Sequence, residues 1–250
     1  MSAGFDYARL GCYADARAMY ERGMALAETL GAQFLQTNLR YDLSYVLWCS
    51  GDRDGARFLG ESALQELRAT GYRPLAVATC LAYLGMILED MADYSVAADY
   101  LAESRILANQ GGLHASAIEA QAVEARCLLA LGREAEARQA AAEVWAHLRA
   151  HGTVAIDFPS RVYACIADVV AAIGPPGLTA QEVVEAGYSE LMRQADLICD
   201  PLLRRSFLEN EVSNQDLIAR CKSLSDCPTL TSRSGRSQTV PSRQLFTHSF

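Results

Sequence analysis

Lysine is almost absent from this chain of 250 residues, in which Lys222 is the single lysine. A phosphate-binding loop of the Walker type needs a lysine directly after glycine, and Lys222 instead follows a cysteine. Schiff-base catalysis requires a lysine within the folded body, and residues 1–221 contain none. The scarcity of lysine therefore argues against both of these chemistries.

Closely spaced cysteines are also missing. The eight cysteines lie six or more residues apart, so the sequence has no CxxC pair that would indicate a zinc ribbon or a redox motif. A chain of this length can build a sizeable hydrophobic core without disulfide bonds to support it. We therefore expect buried, reduced thiols, as in a cytoplasmic protein.

The four histidines offer little potential for catalysis or metal binding. His147 and His151 lie four residues apart near the end of a predicted helix, and this spacing can chelate a metal ion. No acid accompanies them, because Leu148 stands where an HExxH motif has glutamate. The alternative is that basic side chains are favoured at this end of the helix dipole. We predict no metal, no cofactor and no enzyme activity.

Long apolar runs are absent from the folded body. Its longest uncharged stretch, residues 74–88, opens with Pro74 and spans 15 residues, whereas a membrane-spanning helix needs about 20. The first residues, MSAGFDYARLG, lack the basic start and apolar stretch of a signal peptide. We expect a soluble, cytoplasmic protein that does not associate with membranes.

Charge is distributed unevenly along the chain. The formal net charge is −8, yet residues 222–250 carry four basic residues against one acid, a local charge of +3 that leaves −11 for residues 1–221. An acidic body repels phosphate backbones, so we expect no nucleic-acid binding by the folded part. Residues 222–250 are rich in serine and threonine and show no helical periodicity, which predicts a disordered tail.

A repeat of about forty residues runs through the acidic body. Four similar segments begin at Gly11, Gly51, Ala92 and Gly132, which are 40, 41 and 40 residues apart. Each segment has an alanine five residues after its start, where a small side chain lets two helices cross closely. These alanines are Ala16, Ala56, Ala97 and Ala137. A second set of glycines ends a helical stretch in each repeat, namely Gly31, Gly71, Gly111 and Gly152.

Each repeat has the pattern of two antiparallel helices, and no segment alternates with the period of a β-strand. A fifth pair follows, with helices at 159–173 and from Thr179, which forms a capping box with Glu182, to about 197. Two short helices, one from Asp200 and Pro201 and one at 213–221, are expected to cover the end of the stack. We predict an all-α fold: a right-handed α-solenoid of about five helix pairs over residues 1–221.

The third repeat resembles a tetratricopeptide repeat. Leu84, Gly85 and Leu88 match the first helix of that motif, and Tyr94, Ala97 and Leu101 match the second. The forty-residue period is similar to that of the arrays in large bacterial signalling proteins, such as maltose-regulator-type transcription activators and ATPase–cyclase fusions. In those proteins the array is the C-terminal partner-binding or sensor arm. On this register the first helix lacks about four N-terminal positions, so we expect a fragment of a longer protein or an incomplete gene model.

The resemblance implies that the first helices line a concave surface that binds a partner. In the second repeat, Tyr41, Tyr45 and Trp48 share a helical face distinct from the leucine face, and aromatic residues with polar atoms are good interface anchors. The alternative is that these side chains are ordinary core. The full set of candidate binding residues is Asn38, Tyr41, Tyr45, Trp48, Thr79, Met86, Glu89, Asp90 and Arg126.

The sequence therefore favours recognition of a protein or peptide by a non-enzymatic scaffold, as the partner-binding arm of a bacterial signalling or transcription regulator. An alternative is a sensor in which a small molecule or a peptide effector changes the curvature of the stack. The identity of the partner and the oligomeric state stay open.

Overall fold

The computed structural model describes residues 3–71, 73–174 and 177–225, and over these residues it has twelve α-helices and no β-strand. This confirms the predicted all-α fold. No helix within those ranges combines the length and the apolar character needed to cross a lipid bilayer. The helices are α1 (Ala3–Arg9), α2 (Tyr13–Thr29), α3 (Gln33–Cys49), α4 (Arg53–Thr70), α5 (Pro74–Asp90), α6 (Tyr94–Gln110), α7 (His114–Ala130), α8 (Glu134–His151), α9 (Pro159–Ile173), α10 (Ala180–Asp196), α11 (Pro201–Glu209) and α12 (Val212–Ser225).

The helices stack in sequence order. Each helix from α1 to α10 packs against the next, and α3, α5, α7 and α9 also contact one another in succession. The four repeated alanines lie in α2, α4, α6 and α8, and each is fully buried, as the close helix crossing requires. The helices thus form a repetitive stack, while its handedness and period stay predictions.

Most of the tight turns between the two helices of a repeat use glycine in the left-handed region. Gly11, Gly51 and Gly132 have φ angles of 73°, 91° and 73°. Ala92 occupies the same place in the third repeat and has a φ angle of 62°, although its Cβ makes this conformation costly. The third turn is therefore strained in a way that the other three are not.

Gly111 ends α6 as predicted but does not adopt the left-handed conformation. Its φ angle is −85°, and the next residue, Gly112, adopts the left-handed conformation instead. A Cβ on Gly111 would lie 2.1 Å from Cδ2 of Leu75. A larger residue at this position would require the Leu75 side chain at the start of α5 to move.

The last helices follow the capping signals in the sequence. Thr179 and Glu182 form a reciprocal capping box at the start of α10, and the Asp200 carboxylate caps α11, with Pro201 in its first turn. The helix α12 continues to Ser225, so residues 222–225 are helical and not disordered as predicted. The remaining predicted tail, residues 226–250, lies outside the described residues.

The C-terminal helices cover the last helix pair and also contact the first helix pair. The helices α11 and α12 pack against α10, and α12 also packs against α9. The first pair is reached from the end of α11, where the hydroxyl of Tyr13 in α2 donates a hydrogen bond to the carbonyl of Asn210 at 3.3 Å. The Cys12 thiol and the Ser206 hydroxyl lie 3.4 Å apart. The two ends of the stack are therefore in contact.

Candidate functional site

The expected concave surface is formed by α3, α5, α7 and α9, and we call it the inner surface. The aromatic residues predicted to line it, Tyr41, Tyr45 and Trp48, are only 8%, 2% and 7% exposed. Burial raises the pKa of Tyr41 and of Tyr45 above the usual tyrosine value. These rings thus share a face as predicted but pack as core over much of their area.

Phe158 covers Tyr45, the most deeply buried of these rings. It ends the segment 152–158 that joins α8 to α9, and its ring centroid lies 4.9 Å from that of Tyr45. The Tyr83 and Phe5 rings lie 6.5 Å and 6.0 Å from Phe158. Offset and edge-on aromatic pairs at these distances are favourable. The connection between the fourth and fifth pairs therefore fills the middle of the inner surface.

A buried ionic network lies beside this aromatic cluster. The Glu89 carboxylate accepts hydrogen bonds from Arg126 at 2.7 Å and from Arg161 at 2.8 Å. The Arg161 guanidinium also lies 4.7 Å from the centroid of the Trp48 ring, and Arg126 contacts Asp168 at 3.4 Å. Three candidate residues, Trp48, Glu89 and Arg126, are therefore brought together, but they interact with each other and with α9.

The open surface expected over this half of the stack is not found. Met86 is 2% exposed and Glu89 is 7% exposed, while the Asp90 carboxylate accepts from the Trp48 indole at 3.1 Å. The physical reason is that Phe158 and Arg161 occupy the volume that a partner would need. The one sequence signal was an arginine inside α9, a helix that is otherwise apolar on nearly all sides.

The other half of the inner surface stays open. Asn38, Tyr41 and Thr79 line a groove of about 470 Å³ between the N-terminal halves of α3 and α5, which we call the α3–α5 groove. This volume falls in the range of ligand-binding clefts. The carboxamide oxygen of Asn38 is buried there and has no hydrogen-bond partner among the residues that the structure describes. The remaining lining residues are Phe34, Arg73, Pro74, Leu75 and Ala76.

A smaller cavity adjoins this groove, and Thr79 lines both. It holds about 50 Å³ between α5 and α7, and Asp157 and Phe158 form part of its wall. We call it the Glu119 cavity, because the Glu119 carboxylate, 6% exposed, lines it. Its other lining residues are Ala78, Ala82, Tyr83, Met86, Ser104, Ala108, Leu113 and Ser116.

The two carboxylates of the Glu119 cavity have little compensating positive charge. Glu119 accepts a hydrogen bond from the Phe158 N–H at 2.5 Å, and Arg9 lies 3.8 Å from Asp157. Burial, followed by the nearby Asp157 charge, raises the pKa of Glu119 to about 8. Burial also raises the pKa of Asp157. The sequence pattern did not indicate this pair, because Glu119 and Asp157 lie 38 positions apart and only the fold brings them together.

Other polar groups do not assemble into a metal centre. Among the described residues, no group of three or more His, Cys, Asp or Glu side chains is arranged to hold a metal ion. The His147 and His151 rings lie 4.9 Å apart between centroids, and burial, then the neighbouring His151, lowers the pKa of His147. The α3–α5 groove and the Glu119 cavity together form the candidate site.

Comparison with known proteins provides a match at the level of fold. The structure of BtubC (BKLC) from P. vanneervenii superposes with a TM-score of 0.53, and the match covers 93% of this chain and 97% of that one. The sequence identity is 15%, so the similarity shows a shared fold alone. No protein-family model matches the sequence, and no curated protein matches it.

Proposed function

We propose that this protein is a scaffold that binds an extended peptide segment of a partner protein in the α3–α5 groove. The observation that carries the proposal is the buried carboxamide oxygen of Asn38, which finds no hydrogen-bond partner within the described part of the chain and belongs to a residue that lines a groove of about 470 Å³. A buried polar atom without a partner costs free energy. This oxygen is not exposed to the groove, so the proposal requires a turn of the Asn38 carboxamide that brings it to a backbone N–H of the bound peptide.

The chemistry of the groove suits a peptide with both apolar and polar groups. Phe34 and Leu75 offer apolar surface, while Thr79 and Asn38 offer hydrogen-bonding groups. The guanidinium of Arg73 lies 5.0 Å from the centroid of the Phe34 ring, so one wall of the groove is a cation–π pair. Interfaces commonly combine an apolar centre with a few polar groups that fix orientation.

The resemblance to long-period tetratricopeptide arrays supports the same proposal. As part of it, we assign the chain to the partner-binding arm of a cytoplasmic bacterial signalling or transcription regulator. The net charge of −8 favours a basic or neutral partner over a nucleic acid. We also propose that the protein has no catalytic role, since its candidate groups are suited to binding.

A second candidate function is the sensing of a small effector. The Glu119 cavity favours it, because a volume of about 50 Å³ suits a small group better than a protein surface. A free effector would be held by the cavity without contacts along the α3–α5 groove. The two candidate functions therefore differ in whether the groove contributes to affinity.

Peptide display tests the proposed function directly. The purified full chain is screened against random peptides on phage, and the selected peptides are synthesised and titrated by fluorescence anisotropy. Thr79→Trp fills the groove beside Asn38, and we expect it to weaken peptide binding at least tenfold. Phe58→Ser is the matched control, because Phe58 lies on α4 and is 74% exposed.

Circular dichroism verifies that both variants keep the helical fold. The proposal fails if no peptide is selected above background. It also fails if the folded Thr79→Trp protein binds as tightly as the wild type. Binding that is lost in Thr79→Trp but kept in Phe58→Ser supports the groove.

A further inference from the structure

We infer that the Glu119 cavity accepts a lysine side chain of the peptide bound in the α3–α5 groove. This inference rests on the proposed function and adds a specificity to it. The charges around the cavity, the rings in its wall, its size and its position beside the groove all favour this ligand.

The charges favour a cation. Glu119 and Asp157 both line the cavity, and their described basic neighbour is Arg9, whose Nη1 atom lies 3.8 Å from an Asp157 oxygen. This distance is longer than that of a well-formed charge-assisted hydrogen bond. Glu119, which is more than nine-tenths buried, receives its hydrogen bond from a neutral backbone N–H. An incoming cation would therefore pair with Asp157 and with Glu119, which loses its proton as the cation binds.

The aromatic wall favours the same ligand. Tyr83 and Phe158 both line the cavity, and each is 6% exposed. The face of an aromatic ring attracts a cation, and it also packs well against methylene groups. Met86 adds a polarisable thioether to this wall. Carboxylates combined with rings and a thioether suit an ammonium group on an apolar stem.

The size of the cavity favours lysine over arginine. A volume of about 50 Å³ accommodates a group of the size of one or two water molecules. The ammonium of lysine is a compact charge at the end of a slender stem, whereas the guanidinium of arginine is a wider planar group. The small side chains of Ala78 and Ala82 leave room for the stem on the α5 side.

The position of the cavity ties this ligand to the groove. Thr79 lines both spaces, so a peptide lying along the N-terminal halves of α3 and α5 would pass within one side chain of the Glu119 cavity. The acidic net charge of −8 would attract a basic segment from a distance. These features favour a lysine-containing peptide as the ligand over a free amine and over a second copy of this chain.

The test uses a lysine-containing peptide from the display screen together with its norleucine and arginine analogues. We expect the wild-type protein to bind the lysine peptide about tenfold more tightly than the norleucine analogue, with the arginine analogue also weaker. Glu119→Gln keeps an acceptor for the Phe158 N–H, and we expect it to bind the lysine and norleucine peptides about equally. Glu134→Gln, an exposed change of the same charge, should leave the preference intact.

Each outcome has a definite meaning. Peptide binding without a preference for lysine overturns this inference and leaves the proposed function standing, while the absence of any peptide binding overturns both. If Glu119→Gln does not fold, Asp157→Asn takes its place with the same expectation. Binding of n-butylammonium alone with the affinity of the lysine peptide would assign the cavity to a free amine and overturn the inference. A wild-type dimer that dissociates on Thr79→Trp substitution, seen by sedimentation, would also overturn it.

Discussion

The Tyr45 ring on α3 lies 4.9 Å, centroid to centroid, from the Phe158 ring that precedes α9. These residues are more than a hundred positions apart, and their contact joins the second repeat to the fifth pair. The contact divides the inner surface into a filled half and an open half. It therefore determines which predicted binding residues a partner can reach.

Phe158→Ala should destabilise the protein by about 3–5 kcal/mol, because it removes a buried ring that contacts three other rings. Equilibrium unfolding in urea, followed by circular dichroism, measures this loss. Phe58→Ala serves as the control, since Phe58 is 74% exposed and its loss should change stability by less than about 0.5 kcal/mol. Equal effects of the two substitutions would contradict the packing role of Phe158.

Glu89→Gln should cost about 3–5 kcal/mol, because it leaves Arg126 and Arg161 buried without their carboxylate. The exposed pair of Arg133 and Glu136 provides the comparison. Breaking that exposed pair with Glu136→Gln should leave stability almost unchanged. Thermal and urea unfolding of both variants test whether burial makes the difference.

Ala92→Gly should stabilise the protein by about 1 kcal/mol. Ala92 is an exposed turn residue with a φ angle of 62°, and glycine adopts this conformation without the clash of a Cβ. The gain is partly offset because glycine has more freedom in the unfolded chain. Ala155→Gly is a parallel test. Ala155 also has a φ angle of 62° and lies in the longer connection between α8 and α9. A lower melting temperature for Ala92→Gly would refute the assigned strain.

Asp42→Asn should stabilise the protein at pH 8 and have little effect at pH 4. Burial raises the pKa of Asp42 to about 7, so the folded state favours the neutral carboxyl group. Stability linked to this group is present below its unfolded pKa and is lost as pH rises from about 4 through about 7. Because the side chain is half-buried, we expect roughly 1–3 kcal/mol. Urea unfolding of wild type and variant across this range measures the difference.

Affinity for a lysine-containing peptide should rise with pH between about 6 and 8.5. An ammonium group binds the ionised form of Glu119, whose pKa is raised to about 8 by burial and by Asp157, with Arg9 opposing the shift. Ligand binding should therefore release a proton at neutral pH. Calorimetric titration in buffers of different ionisation enthalpy detects this proton. Glu119→Gln should flatten the pH dependence, and an unchanged slope would contradict the assignment.

The sequence predicted the helices well because helix formation depends on local pattern. The bounds of α9 match the predicted 159–173, and the capping box of Thr179 with Glu182 is confirmed. The buried alanines were also predictable, since close helix crossings recur at a fixed interval. These features need no knowledge of distant parts of the chain.

The state of the inner surface was not predictable in the same way. Periodicity indicated that Tyr41, Tyr45 and Trp48 share a face, but it could not reveal that Phe158 and Arg161 would cover part of that face. The cavity formed by Glu119 and Asp157 likewise arises from a long-range approach of two segments. Such contacts depend on the path of the whole stack, which local pattern does not encode.

The contact between the Tyr13 hydroxyl and the Asn210 carbonyl has a further consequence. An open array can gain or lose one module at either end, and its terminal modules tend to fray first. Here the first helix pair contacts the last described helices, so inserting another helix pair between them would separate them. The two regions should therefore unfold together, because loss of either one removes the contacts of the other.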